Sequence, residues 1–165
     1  MIALQITDIK SFMNSLLRTS LFDHFLLTEA TITQAVTHTI DGTINPDFFD
    51  AGELKTLGLC DLQFMPFGNL RPICFELMKG RKKPGYFKFV FQLSPANQEN
   101  TIARSASNFT AADVSAMYIN LIYKNDILTC TTGISYRLFS LDKSLEQEWD
   151  RFVTIFLKRN QIEFE

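Results

Sequence analysis

No run of this sequence approaches the roughly 18 consecutive apolar residues that a membrane-spanning helix needs. The amino-terminal stretch MIALQITDIKSF has no basic segment leading into an unbroken apolar run, so it does not read as a signal peptide, and a cytosolic protein without a membrane partner is the expectation. Cysteine is scarce. Cys60, Cys74 and Cys130 form no close pair and no CxxC spacing, which argues against a disulfide framework and a zinc site and leaves them as small buried apolar groups. Histidine is scarcer still: only His24 and His38 offer an imidazole base, and two isolated imidazoles make no coherent metal-ligand set. A cysteine nucleophile needs a thiolate of lowered pKa beside a base, whereas all three cysteines sit in apolar contexts, where burial raises the thiol pKa. No G-x-S-x-G elbow, P-loop, G-x-G-x-x-G or H-E-x-x-H motif occurs. A large excess of charge is missing as well, since the formal net charge of -2 predicts no global attraction to nucleic acid or acidic membranes.

What the chain does have is phenylalanine, 16 of them against a single tryptophan, and most must lie in a core because scattered exposure would leave sticky patches. A content of 46% hydrophobic and 21% charged residues lies far from the composition of disordered chains. A length of 165 residues suits one domain with a real core and is short for two, so residues 1–165 are expected to form one domain.

Hydrophobic periodicity assigns the elements. IALQI reads as a short strand, and DIKSFMNSLLRT places Ile9, Phe12, Met13, Leu16 and Leu17 on one helical stripe with Thr7 or Asp8 as cap. LFDHFLL and ATITQAVTHTID follow as β material. Asp41-Gly42 has the chemistry of a two-residue hairpin turn, so TINPDFF is expected to fold back on the strand before it. LCDLQFMPF reads as a further strand, and Asn69 as the cap of a short helix with Pro72 in its first turn and Ile73, Cys74, Leu77 and Met78 on one face. YFKFVFQLS is the clearest strand: Phe87, Phe89, Phe91 and Leu93 face one way. SPANQENTIARSASN starts with Ser-Pro and carries few apolar anchors, which predicts a helix followed by a mobile loop.

The stretch YKNDILTCTTGIS predicts a hairpin. With Asn125-Asp126 as its turn, Tyr123 faces Leu128, Leu121 faces Cys130, Ile119 faces Thr132 and Met117 faces Ile134. The apolar residues then share one side, and Thr129 and Thr131 fall on the polar side. A three-residue loop would move Cys130 to the other face. LDKSLEQEWDRFVTIFLKRN closes the chain with Asp142 as cap and Leu145, Trp149, Phe152, Val153, Phe156 and Leu157 at helical spacing, and the tail QIEFE alternates as an edge strand would.

The fold class is therefore α+β, mostly antiparallel sheet with helices on one face and a C-terminal helix. The element order reads as a βαβββ unit written twice, which resembles one domain of the sliding-clamp superfamily; a single such domain closes no ring around DNA and brings no processivity function with it. The segments MIALQITDIKSFMNSLL, FDHFLL, TIDG, FQLSP, LTCTTGIS and LDKSLEQEWD resemble a family of uncharacterised proteins from clostridial bacteria. That resemblance implies no activity.

Charge is uneven along the chain. Asp41, Asp47, Asp50, Glu53 and Asp61 face one lysine, Lys55, with a spacing that fails the EF-hand pattern and reads as a solvated face. Arg71, Lys79, Arg81, Lys82, Lys83 and Lys88 stand against Glu76 alone. The segment KGRKKPGYFKF interleaves five basic residues with Tyr86, Phe87 and Phe89, a composition able to hold a phosphate backbone and stack a base; alternation gives Phe87 and Phe89 to the core and leaves Tyr86 for stacking. The plainer reading is a solvated loop. A non-enzymatic binding module is favoured, contacting nucleic acid or another polyanion through these residues or else a protein partner; a small enzyme with an unrecognised pocket is the alternative, and an edge-strand homo-oligomer the third. No cofactor is implied.

Overall fold

The computed structural model describes residues 1–165, which run β1 (Ala3–Ile6), α1 (Ile9–Arg18), β2 (Leu26–Thr33), β3 (Thr37–Asp41), α2 (Glu53–Thr56), α3 (Phe67–Met78), β4 (Tyr86–Gln92), α4 (Pro95–Arg104), β5 (Val114–Lys124), β6 (Ile127–Tyr136) and α5 (Ser144–Arg159). The six strands form one antiparallel sheet in the order β1-β6-β5-β4-β2-β3. A doubled βαβββ unit would supply eight strands, so the clamp-like duplication is not the arrangement found. No helix is long and apolar enough to cross a membrane.

Alternation builds the sheet's two faces. Phe87, Phe89 and Phe91 of β4 are buried, as are Leu121 and Tyr123 of β5 and Leu128 and Cys130 of β6. The opposite face, with Tyr86, Lys88, Val90, Tyr118, Asn120, Thr129 and Thr131, is half-buried. Asn125 and Asp126 both have positive φ, 52° and 61°, the left-handed pair whose twist suits a two-residue hairpin turn. The β5–β6 register pairs Tyr123 with Leu128, Leu121 with Cys130, Ile119 with Thr132 and Met117 with Ile134, as the alternation predicts. The run of hydroxyls is sheet surface, where Asn120 Nδ2 donates to Thr131 Oγ1 at 3.3 Å. Thr132 is the exception: it points inward and donates to Asp150 of α5.

The helices pack on the phenylalanine face. Phe12 and Leu16 of α1, Phe67, Cys74 and Met78 of α3, Ile102 of α4, and Leu145, Trp149, Val153 and Leu157 of α5 join the inward side of the sheet in one apolar cluster. Trp149 Nε1 donates to the Tyr118 carbonyl at 3.0 Å, which ties α5 to the sheet while keeping the indole satisfied. The tail adds backbone pairing along β1, with Gln5 N donating to Glu165 O at 2.8 Å and Thr7 N to Glu163 O at 3.0 Å.

Four sequence expectations change. Asp41-Gly42 is no hairpin turn; the chain reverses at Gln34–Val36, and the segment that reads as one strand splits into β2 and β3. Asp41 instead accepts from Thr43 N at 2.9 Å; hydrogen bonding from the Thr43 side chain first and its backbone second lowers the Asp41 pKa, and Thr43 pairs with Phe64. LCDLQFMPF makes only isolated bridges at Phe64 and Pro66. Residues 20–25 turn rather than extend, with Asp23 N donating to Ser20 O and Phe25 N to Phe22 O, so His24 sits in a turn. Helix α3 begins at Phe67, which puts Pro72 in its interior, where it cannot donate to the Gly68 carbonyl, and leaves Ile73 exposed.

Candidate ligand groove between two helices

Helix α4 is polar for a physical reason. Ser94 caps it by accepting from Asn97 N at 3.4 Å, Pro95 opens its first turn, and only Gln98 and Ile102 are buried. Gln98 anchors the helix by donating to the Val114 carbonyl at 3.2 Å. Asn97, Asn100, Thr101 and Arg104 follow at i, i+3, i+4 and i+7, and so form one polar stripe. On α5, Glu148, Phe152 and Phe156 recur at i, i+4 and i+8.

The two stripes border a groove of about 420 Å³, closed off by His24, Phe25, Leu93 and Ser105. Its floor is aromatic and continuous with the core: Phe25 and Phe22 meet Phe156 edge-on at 5.7 and 5.6 Å, and Phe22 stacks on Phe91 at 5.4 Å. Phe152 stacks on Trp149 at 5.4 Å yet stays 42% exposed, so an apolar ring opens into the groove. The polar rim is unspent. The side chains of His24, Asn97, Asn100, Arg104 and Glu148 make no hydrogen bond or ion pair with the rest of the protein, and no Arg104 nitrogen comes within 4.0 Å of a Glu148 oxygen.

The basic residues behave differently. Arg71 lies in α3 and forks onto Asp23, with Nε to Oδ1 at 2.8 Å and Nη2 to Oδ2 at 3.1 Å, which raises its pKa and points it away from the basic loop toward α1. Lys79 pairs with Glu76 at 2.6 Å. Lys83 pairs with Asp126 at 2.5 Å, a bond that raises the lysine pKa and lowers that of the carboxyl. Lys88 pairs with Glu29 at 2.9 Å on the open sheet face, which also raises its pKa, and Tyr86 shares that face. Arg81 and Lys82, in the loop after α3, have no ion-pair partner.

Burial pushes the thiols of Cys74 and Cys130 up to about 12. Cys60, expected to be buried, is exposed in the turn after α2. His38 lies in β3, far along the chain from His24, and no group of three or more His, Cys, Asp or Glu side chains is placed to hold a metal ion.

Sequence reasoning missed the groove. Phe152 and Phe156 read as core by helical spacing, and FDHFLL reads as β material that carries His24 with it. One signal was present: a helix with few apolar anchors whose amides, hydroxyl and guanidinium recur at helical spacing.

No curated protein and no solved structure matches the chain. A model of a family of unknown function matches residues 15–165, a span that takes in every groove residue from His24 to Phe156. The chain belongs to that family, DUF5721.

Proposed function

We propose that the protein is a non-enzymatic binding module whose ligand seats in the groove between α4 and α5. One observation carries this reading: five polar side chains without a protein partner line the same groove as the exposed Phe152 ring. Ligand sites are commonly clefts of about 300–1,000 Å³ that combine apolar walls with placed polar groups, and this groove has that size, with four apolar and seven polar lining residues. Some opposite charges on the surface pair, as in Lys88–Glu29 and Lys79–Glu76, whereas Arg104 and Glu148, which line one groove, do not.

The test uses the chain's one tryptophan, which stacks on the groove's Phe152. A neutral aromatic probe, N-phenyl-1-naphthylamine, is expected to bind saturably to the native protein and to change Trp149 emission. Phe152→Ala should weaken that binding at least fivefold, and Phe139→Ala, at an 89%-exposed ring in the β6–α5 connection, should leave it unchanged. Equal loss in both variants, or no saturable binding, removes the groove as the site.

A second reading, polyanion binding by the basic loop, draws support from Arg81 and Lys82, whose charges are unpaired. Arg71, Lys79, Lys83 and Lys88 would each have to exchange a carboxylate for a phosphate. Single-stranded oligonucleotide affinity that falls steeply with salt, and vanishes in the Arg81→Glu/Lys82→Glu variant, would favour this reading over the groove.

A further inference from the structure

We infer that the groove's ligand is an apolar zwitterion: a molecule with one carboxylate, one ammonium and an aromatic or branched aliphatic group, the chemistry shared by free apolar amino acids and short apolar peptides. This rests on the groove being the binding site. Arg104 stands at the end of the α4 stripe and Glu148 on the facing α5 stripe, both lining the groove and neither satisfied within the protein. A purely anionic ligand would meet Arg104 favourably but bring its charge up to Glu148, and a cation would have the reverse difficulty with Arg104. Like charges brought together across a binding surface are strongly disfavoured, so the ligand supplies one charge of each sign.

The remaining groups fit the same chemistry. A guanidinium takes a carboxylate by two parallel N–H···O bonds, and the Asn100 amide one helical turn before Arg104 offers a further donor. Glu148 accepts from an ammonium. The same groove is lined by Phe25, Leu93, Phe152 and Phe156, apolar surface that rewards a ring or a branched chain. His24 adds a donor or an acceptor at the margin.

The experiment is a titration read by Trp149 emission and by displacement of N-phenyl-1-naphthylamine. The arms are L-phenylalanine, L-phenylalanyl-L-phenylalanine, 3-phenylpropionate, phenethylamine and glycine. Phenylalanine or the dipeptide is expected to bind at least tenfold more tightly than the two singly charged analogues and glycine, and whichever binds better names the source. Arg104→Gln and Glu148→Gln should each cost the zwitterion about tenfold while changing affinity for the neutral probe less than twofold. Probe binding with phenylpropionate or phenethylamine as good as the zwitterions, or with neither zwitterion bound, overturns the ligand class and leaves the groove standing. Failure of the probe as well removes the groove itself.

Discussion

At the scale of single residues, two glycines show how differently the same side chain is used. Gly42 donates from its N to the Thr28 carbonyl at 2.9 Å, and a Cβ built there would lie 1.7 Å from the Leu27 carbonyl oxygen. Its value is the absence of a side chain where the chain leaving β3 crosses against β2. Gly133 sits in β6 with nothing within 4 Å of a Cβ. Gly42→Ala is therefore expected to destabilise the fold by about 3 kcal/mol or more, because backbone rather than a flexible side chain must move. Gly133→Ala should change stability by no more than about 1 kcal/mol, with gain rather than loss favoured by the reduced entropy of the unfolded chain. Urea midpoints of the two variants check this, and similar midpoints would refute the close-approach account. The pair also shows what a sequence conceals. Asp41-Gly42 carries turn chemistry, but its glycine answers to a strand that arrives from residues 27 and 28, and no local pattern encodes that.

At the scale of elements, legibility followed the number of partners an element needs. The β5–β6 hairpin was readable to the residue because both strands are adjacent in the chain and a single choice of turn put Met117, Ile119, Leu121, Tyr123, Leu128 and Cys130 on one face. Strand β4 and helix α5 were readable because each has one unambiguous period. The span from Gly42 to Pro66 was not, since its strand pairings are isolated bridges to β2 and to itself. The hairpin tip makes a prediction of its own. Asp126 accepts from Lys83 at 2.5 Å and from the Tyr123 hydroxyl at 2.8 Å, and these bonds hold its carboxyl below the ordinary aspartate value. A lowered folded-state pKa means the tether is intact above the aspartate value of the unfolded chain and is lost as pH falls through the lower, folded one. Carboxyl-carbon NMR should place the Asp126 titration below that of a model aspartate, and Lys83→Ala should bring it back up. Protection factors of backbone amides in the Gly80–Gly85 loop, with the intrinsic pH dependence of exchange divided out, should fall over the same acid window in the wild type and stay flat in the variant. An Asp126 titration that Lys83→Ala leaves in place would show the ion pair to be incidental.

At the scale of the whole molecule, the groove and the core share their aromatic side chains, so a ligand seated in the groove would touch the same cluster that holds the fold together. Sequence could supply each stripe of that groove separately; it could not supply their juxtaposition, because α4 and α5 are separated in the chain by two strands and each is seated on β5 by its own bond, Gln98 to the Val114 carbonyl and Trp149 to the Tyr118 carbonyl. Whether the parts behave as one cooperative unit can be read from the cysteines. Cys74 in α3 and Cys130 in β6 belong to the same buried cluster but to different layers, and Cys60 is exposed. A thiol reagent should modify Cys60 at once and the other two slowly. If helices and sheet open together, Cys74 and Cys130 react with one common slow rate that tracks global unfolding; a faster Cys74 would mean that α3 leaves the sheet independently. Alkaline pH provides the thermodynamic counterpart. Burial raises both folded-state thiols from 9.0 to about 12, so below pH 9 neither state loses a proton, whereas between about 9 and 12 only the unfolded chain does. The unfolded state then binds fewer protons than the native one, and stability falls as pH rises through that window. The urea midpoint is expected to drop between pH 8 and 10.5 in the wild type, and to drop less in the Cys74→Ala/Cys130→Ala variant despite its lower starting stability. An identical slope in both would assign the alkaline decline to other groups and detach the thiols from the cooperative core.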